Sequence, residues 1–270
     1  MPGPKPKKRW GQNFLREPNT ARKIVAAALS DGPEKHPVIE IGPGTGALTR
    51  LLLESDTPYT GIEIDPQLAA DLRDQYAGHP HFHLEEKDVL ELDWPALLEN
   101  LAPSKAVVIG NIPYNITSPI LFTLFENSTR LHSAVIMMQK EVAERLVALP
   151  NTKAYGLLAI FTRIYCDCRY LFKVGAHQFF PVPKVDSAVV KLDFREDPVA
   201  DFPDFDLFRR VLRHCFQQRR KMLRKSLGSL FPADHLSKLR FDLTRRPENL
   251  SLTEWQDLTA QLLATKESSG

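Results

Sequence analysis

From residue 20 to about residue 140 the chain alternates apolar, strand-like runs with helix-like segments, the pattern of a parallel sheet covered by helices on both faces. Val38-Ile39-Glu40-Ile41 reads as the first strand, after a helix over residues 20–29. Gly42-Pro43-Gly44-Thr45-Gly46 follows it at once and opens the next helix. Glycines placed there let the backbone approach a ligand more closely than any side chain would allow, so the run predicts a nucleotide-cofactor loop.

Further strands are expected at residues 59–64, 81–87, 106–109 and 133–139, in part of 155–169, and at 187–194, with a helix over 67–76. The last two strands read as the late antiparallel members of a mixed sheet. Residues 195–206 hold two prolines and five acidic residues, a linker composition that divides the chain into 1–195 and 206–270. Beyond it, apolar residues at 207, 208, 211, 212, 215, 222 and 223 follow helical spacing, with Arg209, Arg210, Arg213, Arg220 and Arg224 on the opposite side. The fold class is therefore α/β with a small C-terminal helical domain. Arg219 falls on the apolar side of that wheel, so either the helix breaks near Gln217-Gln218 or the arginine has a specific partner.

The 270 residues are 43% hydrophobic and 25% charged, as in an ordinary globular protein. No apolar run approaches membrane-spanning length, and the basic start is not followed by the apolar core of a secretory signal. A cytoplasmic protein without a membrane partner is expected, and a monomer, since no apolar surface pattern is left unexplained. The three cysteines, Cys166, Cys168 and Cys215, match no zinc spacing and read as free thiols. His79, His81 and His83 lack a nearby cysteine or carboxylate set, so no metal is expected.

The formal charge is only +2, yet it is uneven. Lys5, Lys7, Lys8 and Arg9 open the chain, and eight basic residues with no acid lie between Arg209 and Lys225. Two such runs favour a polyanionic partner, with Lys7, Lys8, Arg9, Arg219, Arg220 and Lys221 as its contacts.

The ends of four successive strands carry Gly42, Glu63, Asp88 and Asn111, which collects them at the carboxyl edge of one sheet, where open α/β folds bind ligands. Gly42, Gly44 and Ala47 also satisfy the loose dinucleotide fingerprint, and Glu63 sits where an acid binds ribose hydroxyls, so spacing there does not separate a nicotinamide cofactor from S-adenosylmethionine. The arbitration lies downstream. Asp88 ends a further strand, where its carboxylate accepts from an adenine amine, and Asn111 opens Asn111-Ile112-Pro113-Tyr114. An amide oxygen and a backbone carbonyl on the Pro113 side accept the two hydrogens of a flat exocyclic amine while Tyr114 stacks on the base, which points to methyl transfer onto adenine N6. Phe179-Phe180-Pro181, running on to Ser187, offers a second aromatic wall.

Trp10-Gly11-Gln12-Asn13-Phe14-Leu15, the loop 40–46, Gly61-Ile62-Glu63-Ile64-Asp65, the segment 110–114, Gln139-Lys140-Glu141-Val142, the segment 179–187 and Gln218-Arg219-Arg220-Lys221 together resemble the small-subunit rRNA adenine dimethyltransferases of the KsgA type, in order over nearly the whole chain. The resemblance implies a Rossmann-like S-adenosylmethionine-dependent enzyme that dimethylates N6 of two adjacent adenosines in the loop of the 3′-terminal helix of 16S rRNA, late in small-subunit biogenesis. By the same resemblance Asn13, Leu15, Gly42, Gly44, Glu63, Asp88 and Asn111 contact the cofactor. Asn111, Pro113, Tyr114 and Phe179 hold the target base. Residues 10–15 then fold over the cofactor. Resistance methyltransferases of large-subunit rRNA share this design, but Gln218 to Lys221 and Asn249-Leu250 favour the small-subunit class.

Overall fold

The structure is a computed structural model that describes residues 6–30 and 36–267. The chain divides into two compact units, residues 1–143 with 167–196, and residues 144–166 with 197–270. The expected division into 1–195 and 206–270 identifies the last crossing between them, near residue 196. It misses the excursion 144–166, which belongs to the second unit.

The elements run β1 (Phe14–Leu15), α1 (Pro18–Ala28), β2 (Val38–Ile41), α2 (Thr49–Leu53), β3 (Tyr59–Glu63), α3 (Pro66–Gln75), β4 (Phe82–Glu86), α4 (Trp94–Asn100), β5 (Ala106–Asn111), α5 (Thr117–Glu126), β6 (Leu131–Gln139) and α6 (Lys140–Leu146). They continue with α7 (Leu157–Tyr165), β7 (Cys166–Val174), β8 (Phe179–Phe180), β9 (Ser187–Phe194), α8 (Phe205–Gln217), α9 (Leu223–Leu227), α10 (Ala233–Ser237) and α11 (Leu252–Glu267). Among the described residues no helix is long and apolar enough to cross a membrane.

Three helix starts in the first unit share a sequence device. Glu17, Asp65 and Asp93 each accept a hydrogen bond from a first-turn amide, and a proline stands at the first or second helical position of α1, α3 and α4. The carboxylate satisfies an orphan N–H and the proline is preset for the helical φ.

Seven strands form one sheet in the order β4-β3-β2-β5-β6-β9-β7. The pairs β3–β4, β2–β3, β2–β5 and β5–β6 are parallel, and β9 runs antiparallel to β6. Ile39, Val108, Ile109 and Val135 are wholly buried, which is why β2, β5 and β6 read as continuous apolar runs rather than alternating ones. Chain order reverses across β2, with β3 on one side and β5 on the other, so a crevice opens beyond the carboxyl ends of β2 and β5. Gly42 leaves one lip and Asn111 ends the other. The strand expected within 155–169 begins only at Cys166, and residues 157–165 are helical. A continuous apolar run of that length carries no period that separates strand from helix.

In the second unit α8 buries Leu207, Phe208, Val211, Leu212 and Cys215, the apolar face expected from spacing. The helix ends at Gln217, and Arg219 also has specific partners, so both alternatives raised by its position hold. Its Nε meets Glu248 Oε2 at 2.6 Å, and its Nη2 donates to the carbonyls of Thr152 and Lys153 at 3.2 and 2.9 Å. That guanidinium ties the excursion 144–166 to the C-terminal segment and is not a free phosphate contact. Arg220 and Lys221 are exposed.

The two lips of the crevice are held close by the absence of a side chain. A Cβ at Gly110 would lie 2.6 Å from the Ile41 carbonyl oxygen, a backbone atom of the neighbouring strand that has nowhere to go. Gly110→Ala is expected to cost about 1–3 kcal/mol of unfolding free energy, read as a lower urea midpoint with unchanged slope.

Candidate active site

The loop after β2 turns through three glycines with positive φ, Gly42, Gly44 and Gly46. At Gly44 the requirement is double, because a side chain there would press on the Phe14 ring at 3.2 Å as well as strain the backbone. Its N–H donates to Glu63 Oε2 at 2.9 Å, while Glu63 Oε1 accepts from Asp65 N at 2.9 Å. The end of β3 thus shapes the loop after β2. Burial pushes the Glu63 carboxyl above the usual range, against the pull of the two amides.

One cavity lies over this edge. It is lined by Asn13, Leu15, Gly42, Gly44, Glu63, Asp88, Asn111, Pro113 and Tyr114, so nearly every residue expected at the cofactor and the base comes together. Arg9 lines it too. Phe179 does not. It is 2% exposed, paired with Leu15 across the short β1–β8 ladder and packed in the core beside Leu15, Val174 and Val189, while Phe180 is 42% exposed. The expected second wall at Phe179 is therefore a buried ring.

Residues 9–15 line one side of the cavity, and the segment is anchored from Lys7 onward. Lys7 Nζ donates to Asp65 Oδ1 at 2.7 Å, Gln12 Nε2 to Asp65 Oδ2 at 3.0 Å, and Lys7 N to Gln12 Oε1 at 2.7 Å. Burial pushes the Asp65 carboxyl up, but Lys7, Gln12 and the Gln67 amide outweigh it and hold the group below its ordinary value. Expected to meet RNA, Lys7 spends its ammonium on this anchor instead. The side chain of Lys8 lies outside the described residues, and Arg9 is exposed with its guanidinium 4.1 Å from the Trp10 ring centre.

Asn111 Nδ2 donates to the Asn13 carbonyl at 2.8 Å, a second anchor of that segment. With one amide hydrogen placed on that carbonyl the amide is oriented, and Oδ1 is the atom that can accept from a ligand. The Pro113 carbonyl is already an acceptor for Ile116 N and Thr117 Oγ1, both at 3.2 Å. Tyr114 is half-buried and its hydroxyl meets Ser187 Oγ at 2.7 Å; burial raises the phenol, although Ser187 opposes the shift. Asp88 Oδ1 accepts from Leu90 N at 2.9 Å, so the carboxylate also closes its own turn.

The expected contacts leave out the apolar lining, and Glu40 was part of the motif 40–46 without a role of its own. Ile64, Leu68 and Val89 line the cavity; Ile64 and Val89 follow strand ends closely, and Leu68 stands in the first turn of α3. Glu40, also at the cavity, is 1% exposed, and Thr49 Oγ1 and Tyr59 OH both donate to its Oε2, at 2.7 and 2.8 Å. Burial nevertheless pushes its carboxyl up to about 7, with the charge of Glu63 adding to the shift. The histidines 81 and 83 contact Asp56 and Glu85 at the surface.

Residues 3–267 match the family model described as ribosomal RNA adenine dimethylase. The ribosomal RNA small subunit methyltransferase A of Prosthecochloris aestuarii is 47% identical over 256 residues, 95% of this chain and 94% of that protein. Among solved structures, a dimethyladenosine transferase from Plasmodium falciparum superimposes with a TM-score of 0.75 at 27% identity, covering 95% of this chain and 98% of the other. The 23S rRNA methyltransferase ErmE gives 0.68 at 29% identity, covering 93% and 99%.

Because burial pushes the folded-state Glu40 carboxyl up to about 7 while the unfolded chain releases its proton near 4.5, the Glu40 contribution to stability falls as pH rises between those values. Replacing Glu40 by Gln removes that slope. Between pH 5 and 8 the variant is expected to gain on the wild type by on the order of 3 kcal/mol, measured by denaturant unfolding at each pH.

Proposed function

Because the chain belongs to the ribosomal RNA adenine dimethylase family, we infer that it transfers methyl groups from S-adenosylmethionine to N6 of two adjacent adenosines in the 3′-terminal helix of 16S rRNA. The observation that carries the chemistry is the oriented amide of Asn111, whose oxygen can accept at the cavity. The small-subunit target is supported by the names of relatives 38–47% identical over most of the chain.

The cavity fits the cofactor. Gly42 faces open space where a Cβ would stand, Glu63 and Asp88 offer carboxylates to ribose hydroxyls and an adenine amine, and Ile64, Leu68 and Val89 offer apolar surface to the ring. Asn13 and Leu15 close over it. When bound, S-adenosylmethionine supplies an electrophilic methyl on sulfur and leaves as a neutral thioether.

The remaining work falls to the chain. Asn111 Oδ1 accepts one hydrogen of the target amine. Since the Pro113 carbonyl is taken by Ile116 and Thr117, the second acceptor is assigned to the carbonyl of Ile112, on the other side of the proline ring. Drawing both hydrogens toward acceptors frees the nitrogen lone pair from the base ring, an interaction stronger in the transition state than in the ground state. Tyr114 supports one face of the base, with Ser187 fixing its hydroxyl, and Phe179 acts from beneath by holding β1 against β8. Exposed Arg9, Arg220 and Lys221 attract the RNA backbone. In this reading the enzyme works as a cytoplasmic monomer on a late small-subunit precursor.

The likeness to a 23S rRNA methyltransferase defines the competing target. Labelled methyl offered with under-methylated 30S and with 50S subunits separates the two. Dimethyladenosine confined to 30S is expected, and label in 50S would reassign the enzyme.

With 30S as acceptor, Asn111→Ala should lower transfer at least about a hundredfold and leave subunit binding intact. A near-normal rate would remove the amine clamp. Removing charge at Arg220 and Lys221 should reduce the slope of log binding constant against log salt by about one per residue. Arg219→Ala, by contrast, should act on stability.

A further inference from the structure

Resting on that functional reading, we propose that Phe180 and Arg16 form a stacking subsite for the nucleobase adjacent to the target adenosine, outside the methyl-transfer cavity. In the β1–β8 ladder Phe14 stands opposite Phe180 and Leu15 opposite Phe179. Directly opposed residues of an antiparallel pair share a face, so the ladder has an inner face of Leu15 and Phe179 and an outer face of Phe14 and Phe180. The inner pair is buried in the core. On the outer face Phe14 lines the cavity against Gly44, and Phe180 stands beside it, 42% exposed.

A lone exposed phenylalanine carries little information, but this one is not alone. The Arg16 guanidinium lies 4.1 Å from the Phe180 ring centre, and Arg16 is itself exposed. Among the described residues it has no ion-pair partner. The backbone beneath is fixed, since Arg16 N donates to the Gln178 carbonyl at 2.8 Å and Thr20 Oγ1 meets Gln178 Oε1 at 2.7 Å. A held aromatic face with an uncompensated planar cation is the chemistry that takes a nucleobase and its phosphate. The occupant is not the target base, because Phe180 is absent from the cavity lining that contains Asn111 and Tyr114. It is the next nucleotide of the splayed strand.

The test is steady-state transfer by the full chain to under-methylated 30S subunits, with S-adenosylmethionine binding followed by calorimetry. Phe180→Ala is expected to raise KM for subunits by about fivefold to a hundredfold, the loss falling on KM rather than kcat. Arg16→Ala should give a smaller rise, and Phe180→Tyr should restore the wild-type value. Unchanged KM in Phe180→Ala overturns the subsite. A fall in kcat instead would place Phe180 against the target base, and lost cofactor binding would make it part of the cofactor site; either overturns the proposal. A wild-type enzyme inactive on 16S rRNA overturns the functional reading and the subsite together.

Discussion

The hydrogen bond from Asn111 Nδ2 to the Asn13 carbonyl joins two parts of the site that are 98 residues apart in sequence. Without it the amide of Asn111 is free to rotate, and either end can meet a ligand. With it the amide is oriented and the oxygen can accept from a ligand. The same bond ties the segment carrying Asn13 to the end of β5, so two parts of the cavity lining share one support. Asp65 supplies the other support through Lys7 and Gln12. The segment 7–13 is thereby tied both to the end of β5 and to the residues that follow β3, on either side of the loop after β2.

Four of the cavity positions were legible because each lies at or just beyond the end of a strand expected from the sequence. Gly42, Glu63, Asp88 and Asn111 needed no contact information to be placed on one edge. Phe179 and Phe180 were not separable in that way. The choice between them depends on the register of a two-residue ladder with β1, and a shift of one residue exchanges the buried ring for the exposed one. Glu40 was unreadable for a different cause. Its residue type and position are ordinary for such a loop, and only Thr49 and Tyr59, brought in from α2 and β3, reveal that it is enclosed. The excursion 144–166 likewise has no compositional boundary at either end.

The basic runs separate into charges spent inside the fold and charges left outside. Lys7 is committed to a 2% exposed carboxylate, and Arg219 to Glu248 and two carbonyls. A sequence census counts these equally with Arg9, Arg220 and Lys221. The structure does not, because a guanidinium already holding a carboxylate and two carbonyls has few donors left for phosphate. In the C-terminal run the distinction follows from helix geometry. The break after Gln217 turns Arg219 toward the segment 151–153 and leaves the next two residues in solvent, so adjacent positions of one basic motif carry different work.

The titratable groups around the cavity fit a reaction in which proton transfer is not the difficult step. The carboxyls of Glu40 and Glu63 are both raised by burial, and the Tyr114 phenol is raised as well. Glu63 is engaged with the amides of Gly44 and Asp65, and the Tyr114 hydroxyl with Ser187. These hydrogen bonds are all made within the chain, around the cavity. A base there would gain little, because the amine becomes acidic only once the new carbon–nitrogen bond forms and its proton can then pass to water. What the site must provide beforehand is geometry: acceptors that hold two hydrogens out of the base plane and an aromatic face that holds the plane itself. Two methyl additions use up those hydrogens in turn. The second addition therefore proceeds with one fewer hydrogen to grip, and the stacking surfaces carry more of the alignment than in the first.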